Sequence, residues 1–240
     1  MSFAAATSMH RERQRFVPLD TALGCDSADR ALAADAGQGD DAGSTKTAQE
    51  IDLRQLRHHT KNTLQRIIGL IGEIPGLHDT PEGAQIAREL ERRICLSATI
   101  SNALFGLTDA PAPMAERLRQ LAGPVVDMMR TPDQAIRVGV CVRGTCPVHL
   151  REPVMRTTHE LVGNAVKHGM KGRSNGRIAV RLVSQEAITT LTISDDGWGF
   201  KGQPRDGEGL SLARSFASSH GGSLRLHGAG GTVATLELPT

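Results

Sequence analysis

Aromatic residues are nearly absent from this 240-residue chain, which has no tyrosine, one tryptophan and five phenylalanines. Stacking platforms for single-stranded nucleic acid need aromatic side chains along a basic groove, so that class of partner is not expected. An excess of one charge is missing too. Lys and Arg number 28 against 26 Asp and Glu, a formal net charge of +2, which leaves no electrostatic footprint of a nucleic-acid binder. No stretch approaches the roughly 20 apolar residues that span a bilayer, and the start MSFAAATSMHRERQRF puts its charges after small residues rather than before an apolar core. Neither a membrane span nor a secretory signal is expected. The cysteines, Cys25, Cys95, Cys141 and Cys146, form no CxxC pair and have no histidines at zinc-like spacing, so reduced thiols in a cytoplasm are expected rather than structural zinc.

What is present falls into three parts. Residues 1–50 are rich in Ala, Gly, Asp, Ser and Thr, and the run ALAADAGQGDDAGSTKTAQE buries too little apolar surface to offset its ordering entropy; this part is expected to be disordered. From Ile51 the pattern changes. Leu53, Thr60, Ile67 and Ile74 recur every seven residues, with Leu56, Thr63 and Leu70 as a second row, which predicts a long helix with one apolar seam. Pro75-Gly76 ends it, and Thr80-Pro81 offers an N-cap and a first-turn proline for a second helix carrying Ile86, Leu90, Ile94, Leu104 and Leu107. A hairpin over residues 51–110 has too little core alone, whereas two copies close a four-helix bundle, so a homodimer is expected. After a short Pro-containing linker, residues 114–240 read as a second domain. Helices are predicted near 115–130, 152–169 and 208–219, with strands at 135–142, 176–184, 188–195, 222–227 and 232–238. The expected fold class is α+β: a dimerising antiparallel helical hairpin followed by an α/β sandwich with its helices gathered on one face of the sheet.

Four constellations carry chemistry. In HHTKNTLQ at 58–65, the heptad places His58 at f and Asn62 at c, one turn apart and away from the seam. An exposed imidazole with a pKa of about 6.5 is largely neutral at pH 7, so a ring nitrogen is free to attack phosphorus. In HELVGNAVKHG at 159–169, Glu160 and Asn164 lie four apart, and Lys167 and His168 continue their face, a mixture suited to a magnesium-bound triphosphate. In SDDGWGF at 194–200, Gly197 and Gly199 permit close backbone approach, and Asp196 at the strand end offers a carboxylate to an exocyclic amine such as that of adenine. In DGEGLSLARSF at 206–216, Gly207 and Gly209 open a helix whose amides can bind phosphate oxygens, with Leu210 beside them. Taken singly, each is also what an ordinary amphipathic helix or Asp-Gly turn would show.

Their order resembles the two-component sensor histidine kinases: a histidine box, an asparagine box and two glycine boxes on the ATP-binding fold shared with gyrase, Hsp90 and MutL. The resemblance covers about residues 51–240, and His-x-x-Lys-Asn is similar to the subgroup whose box reads HRxKNxLQ. It implies His58 as phosphoacceptor and Asn164 as the Mg²⁺ ligand. It further implies Glu160 at the position that activates water or the acceptor, Lys167 and His168 on phosphates, Asp196 on adenine, and Gly197, Gly199, Gly207 and Gly209 shaping the pocket. The implied cofactors are ATP and Mg²⁺. The implied partners are a second copy, a response-regulator receiver domain whose aspartate takes the phosphoryl group, and a sensory protein acting in trans, since no sensor domain is visible. A phosphatase activity is a further option, because Asn62 could position water against a phospho-aspartate.

Three features depart from the pattern. His59 stands where the common kinases place an acid after the phosphoacceptor, so the base in autophosphorylation is unassigned. The Trp-x-Glu signature of a related subgroup is absent, and only seven residues run from Lys201 through Gly207, so the ATP lid is expected to be short. Two alternatives have different chemistry. A dimeric phosphotransfer adaptor would lack ATP binding and show eroded glycine boxes, and a partner-switching serine kinase of the anti-sigma type would lack the histidine-bearing hairpin.

Overall fold

The computed structural model describes residues 62–105, 112–202 and 207–240. Residues 1–50, expected to be disordered, together with His58, His59 and most of the interdomain linker, lie outside the described residues. Helix α1, described over 62–72, ends in a turn at Pro75-Gly76, where Gly76 adopts a positive φ of 76°. Helix α2, Pro81–Phe105, starts as its sequence predicts: Thr80 Oγ1 accepts the Gly83 amide at 3.1 Å, and Pro81 occupies the first turn, where its missing N–H costs nothing.

Helix α3, Met114–Met129, buries Leu118, Leu121, Val125 and Val126, an i, i+3/i+4 stripe. Complete burial of each leucine is worth roughly 1.5–3 kcal/mol. Ile100 and Ala103 near the end of α2 join the same core as α3, and Arg117 donates to the Ala103 carbonyl, so apolar packing is continuous from the hairpin's second helix into the following helix. The sheet contains β1 (Ala135–Arg143), β2 (Asn175–Ser184), β3 (Ile188–Asp195), β4 (Ser223–His227) and β5 (Val233–Pro239), in the order β1-β2-β3-β5-β4. β1 and β2 pair in parallel across a helical crossover, and the other pairs are antiparallel. Period-2 alternation sends Ile178, Val180, Leu182, Leu191, Ile193, Leu236 and Leu238 inward against α3, α4 (Arg151–Asn164) and α5 (Glu208–Ser219). The helical hairpin followed by an α/β sandwich is the fold expected from the sequence.

The helix predicted near 152–169 changes character before its end. It is α-helical to Asn164, and Ala165–Gly169 form one π turn closed by the Met170 amide on the Ala165 carbonyl at 2.9 Å. Such insertions recur at functional sites, because they re-aim side chains without ending the helix. Buried Gln134 fixes the exit, donating to the carbonyls of Met170 and Arg173 at 2.7 and 2.9 Å. The Met170 carbonyl also accepts the Arg173 amide at 3.1 Å, so Gln134 reinforces a turn that the backbone already closes.

Candidate nucleotide site

The inner face of the sheet, the end of α4 and the start of α5 enclose a cavity of about 830 Å³. Its closest approach is made by glycines. A Cβ on Gly197 would lie 2.4 Å from the Gly169 carbonyl oxygen, and one on Gly169 would lie 2.8 Å from Asp195 Oδ1. The turn after β3 therefore sits directly on the π turn, and the Trp198 amide donates to the Gly169 oxygen at 3.1 Å. Gly199 has a φ of 65° and lies against the Gly228 carbonyl, where a side chain would meet both strain and backbone.

Asp195, 4% exposed, is the carboxylate in this cavity floor. Its Oδ1 accepts the Gly197 amide at 2.9 Å and the Thr232 amide at 3.3 Å. Burial pushes its pKa above the ordinary carboxylate value, opposed by these backbone hydrogen bonds. Asp196, which the sequence reading assigned to adenine, is turned elsewhere: its Oδ1 accepts the Arg177 amide at 2.8 Å, and it does not line the cavity. The physical reason is strand parity. Leu191, Ile193 and Asp195 fall on the buried face of β3, so the next residue faces away. The alternation of TTLTISDD carried that signal.

The remaining expected residues divide as follows. Glu160, Asn164, Lys167 and His168 all line the cavity, the first two half-buried and the last two exposed at its rim, re-aimed by the π turn. Gly199, Gly207, Gly209 and Leu210 line it too, whereas Gly197 supports it from behind. The Glu160 carboxylate is held between two elements. Its Oε1 lies 3.0 Å from His159 Nδ1, and its Oε2 lies where a Cβ on Gly209 would fall. Asn62 is exposed on α1, one turn beyond His58 in the sequence. Asp195, His159, Thr232 and Phe200 are among the lining residues that sequence reasoning did not assign. Thr232 and Phe200 had no local signal, because they enter through the β4–β5 connection and the loop after β3.

The donor set fits a nucleotide. A buried carboxylate is suited to accept from an exocyclic amine, apolar Ile193, Leu210 and Ala234 offer a surface for a flat ring, and Lys167 at the rim offers a charge to phosphate oxygens. Among the described residues no group of three His, Cys, Asp or Glu could hold a metal alone. The Asn164 amide oxygen, with a triphosphate and waters, is instead the kind of sparse oxygen set Mg²⁺ accepts.

Comparison with known proteins agrees with this geometry. Residues 150–240 match the family of histidine kinase-, DNA gyrase B- and HSP90-like ATPases. The sensor histidine kinase PdtaS of two Mycobacterium tuberculosis strains is 24% identical over 201 residues, which cover 80% of this chain and 40% of that protein. The chain thus spans about two-fifths of the length of the curated relatives it matches. In fold it is similar to the histidine kinase domain of the Erythrobacter litoralis EL346 blue-light activated histidine kinase, with a TM-score of 0.50 at 19% identity, covering 82% of this chain and 94% of that one. The longer structure of that kinase gives the same TM-score at 18% identity, covering 85% and 62%. Residues 150–240 therefore match the family of histidine kinase-, DNA gyrase B- and HSP90-like ATPases, and the chain as a whole is similar to sensor histidine kinases.

Proposed function

We propose that the chain is an ATP-dependent protein histidine kinase that phosphorylates its own His58 and passes the phosphoryl group to an aspartate of a response-regulator receiver domain. The observation that carries this reading is the convergence on one cavity of Asp195 from β3, Glu160 and Asn164 from α4, and Gly207 and Gly209 at the start of α5. In this reading Asp195 accepts the adenine amine, taking the role first given to Asp196, and Lys167 and His168 draw the phosphates to the rim. Asn164 would hold Mg²⁺, which supplies charge neutralisation on the phosphates when bound. Glu160, held by His159, stands where a carboxylate can accept a proton from the attacking group.

The domain division follows the sequence: residues 51–110 as dimerising and phosphoacceptor hairpin, 114–240 as catalytic domain. Support for a second copy comes from the hairpin's apolar seam. Ile67, Leu70, Ile74, Ile86 and Leu90 are 40–61% exposed in the single chain, more apolar surface than one helical hairpin ordinarily leaves in water. Among the described residues no helix is long and apolar enough to cross a membrane. A cytoplasmic location and a separate sensory partner complete the reading.

Incubation with γ-labelled ATP and Mg²⁺ tests it. His58→Ala abolishes acid-labile, base-stable label and keeps nucleotide affinity, whereas His59→Ala loses less. Full labelling of His58→Ala would remove His58 from the role, and an unlabelled wild type that binds no ATP would favour the adaptor.

A further inference from the structure

The nucleotide cavity uses only the inner face of the sheet, and among the described residues no helix packs on the outer face, because α3, α4 and α5 all pack on the other side. Its charge is one-sided. The parallel register of β1 and β2 sets Arg137 opposite Arg177 and Arg143 two residues beyond Cys141, the partner of Arg181, and all four arginines are exposed. Toward β3 and β5 the same face continues with Thr190, Thr192 and Thr235. The carboxylates on it are occupied: Glu237 pairs with Arg225, and Asp196 accepts the Arg177 amide at the border. Among the described residues Arg137 and Arg177 make no ion pair. Two adjacent like charges on a flat sheet repel each other, which is an arrangement that an anionic partner relieves.

The chain carries such a partner. Residues 16–52 contain eight carboxylates against Arg30 and Lys46, so the net charge of +2 is a balance between −6 in this segment and +8 elsewhere. Reach is sufficient: the chain from Asp41 to Ile51 spans up to about 35 Å when extended and the expected helix from Ile51 to Asn62 adds about 16 Å, against a diameter of about 40 Å for a domain of this size. We propose that the acidic segment 16–52 docks on the open arginine-bearing sheet face of the same chain. Tethering supplies the effective concentration, and charge supplies the selectivity. The docked segment lies on the side of the sheet opposite the nucleotide, so ATP affinity does not depend on it. This docking stands independently of the kinase reading.

The chain contains its own probes. Trp198 is the single tryptophan, is exposed, and lies two residues beyond Asp196 at the border of the face; Cys25 lies inside the acidic segment. In full-length Cys95→Ser protein, Cys141 and Cys146 are buried, and an acceptor dye is attached at Cys25. Energy transfer from Trp198 is then strong at low salt and falls by about half or more in 1 M NaCl, where the Debye length is about 3 Å. The same loss is expected in Arg137→Glu/Arg177→Glu, with recovery on adding Asp26→Lys/Asp29→Lys and with ATP affinity unchanged throughout. If the glutamate pair disturbs folding by circular dichroism, Arg137→Gln/Arg177→Gln gives the same comparison without charge reversal. Equal transfer in the parent and the arginine variants overturns the proposal. Transfer that arises only when a dye-labelled Trp198→Phe chain is mixed with unlabelled chain also overturns it, assigning the face to a second copy.

Discussion

Replacing Asp195 by Asn separates the two aspartates of the SDDG turn by a large and calculable margin. The Asn Oδ1 can keep the bonds from the Gly197 and Thr232 amides, so the turn stays folded. The second side-chain atom then becomes an NH₂ donor aimed where the adenine amine also donates. A hydrogen bond to a charged group is worth about 1.5–3 kcal/mol, so ATP affinity should fall about 10- to 150-fold. Asp196→Asn touches only the bond from the Arg177 amide, outside the cavity, and should change affinity less than about threefold, as ordinary surface substitutions do. Calorimetric titration of each variant with a non-hydrolysable ATP analogue measures both, with thermal melts to verify folding. A larger loss in Asp196→Asn than in Asp195→Asn would refute the parity argument and return the adenine contact to Asp196.

Acid should act through the same carboxylate. The folded pKa of Asp195 is raised, so its anion is lost as pH falls through a value above the usual carboxylate range; nucleotide affinity should decline in that window, and the Asp195→Asn variant should lack that component of the decline. Relative to the unfolded chain the raised pKa imposes no penalty below the unfolded carboxylate value and costs stability as pH rises from there through the folded value, so Asp195→Asn should melt at or above the wild-type temperature near neutral pH. Gly197→Ala should both lower the melting temperature and weaken ATP binding, because its methyl would meet the Gly169 carbonyl carbon and oxygen rather than a side chain that can move; an unchanged melt would show that the turn and the π turn can separate. Ile67→Glu should convert residues 51–240 to monomer in sedimentation at micromolar concentration, since a charge in the apolar seam costs several kcal/mol if it stays ionised; a wild type that is already monomeric would sink the four-helix bundle.

The sequence by itself determined the elements and their order. Period-7 and period-2 apolar patterns, the Thr80-Pro81 start, the Pro75-Gly76 stop and the glycine-bounded strands are local signals, governed by backbone sterics and by which face must leave water, so they are legible without a fold. The spacing of Glu160, Asn164, Lys167 and His168 was likewise local, and all four reach the cavity. Tertiary structure decided the rest. Whether Asp195 or Asp196 faces inward depends on which side of β3 meets the helices, and the alternation that encodes it is useful only once the buried face is known. The π turn at Ala165–Gly169 packs against Gly197 through Gly169, far apart in the chain, and no helical pattern announces it. Thr232 and Phe200 enter the site because separate loops converge there, and convergence is a property of packing rather than of any segment's own sequence.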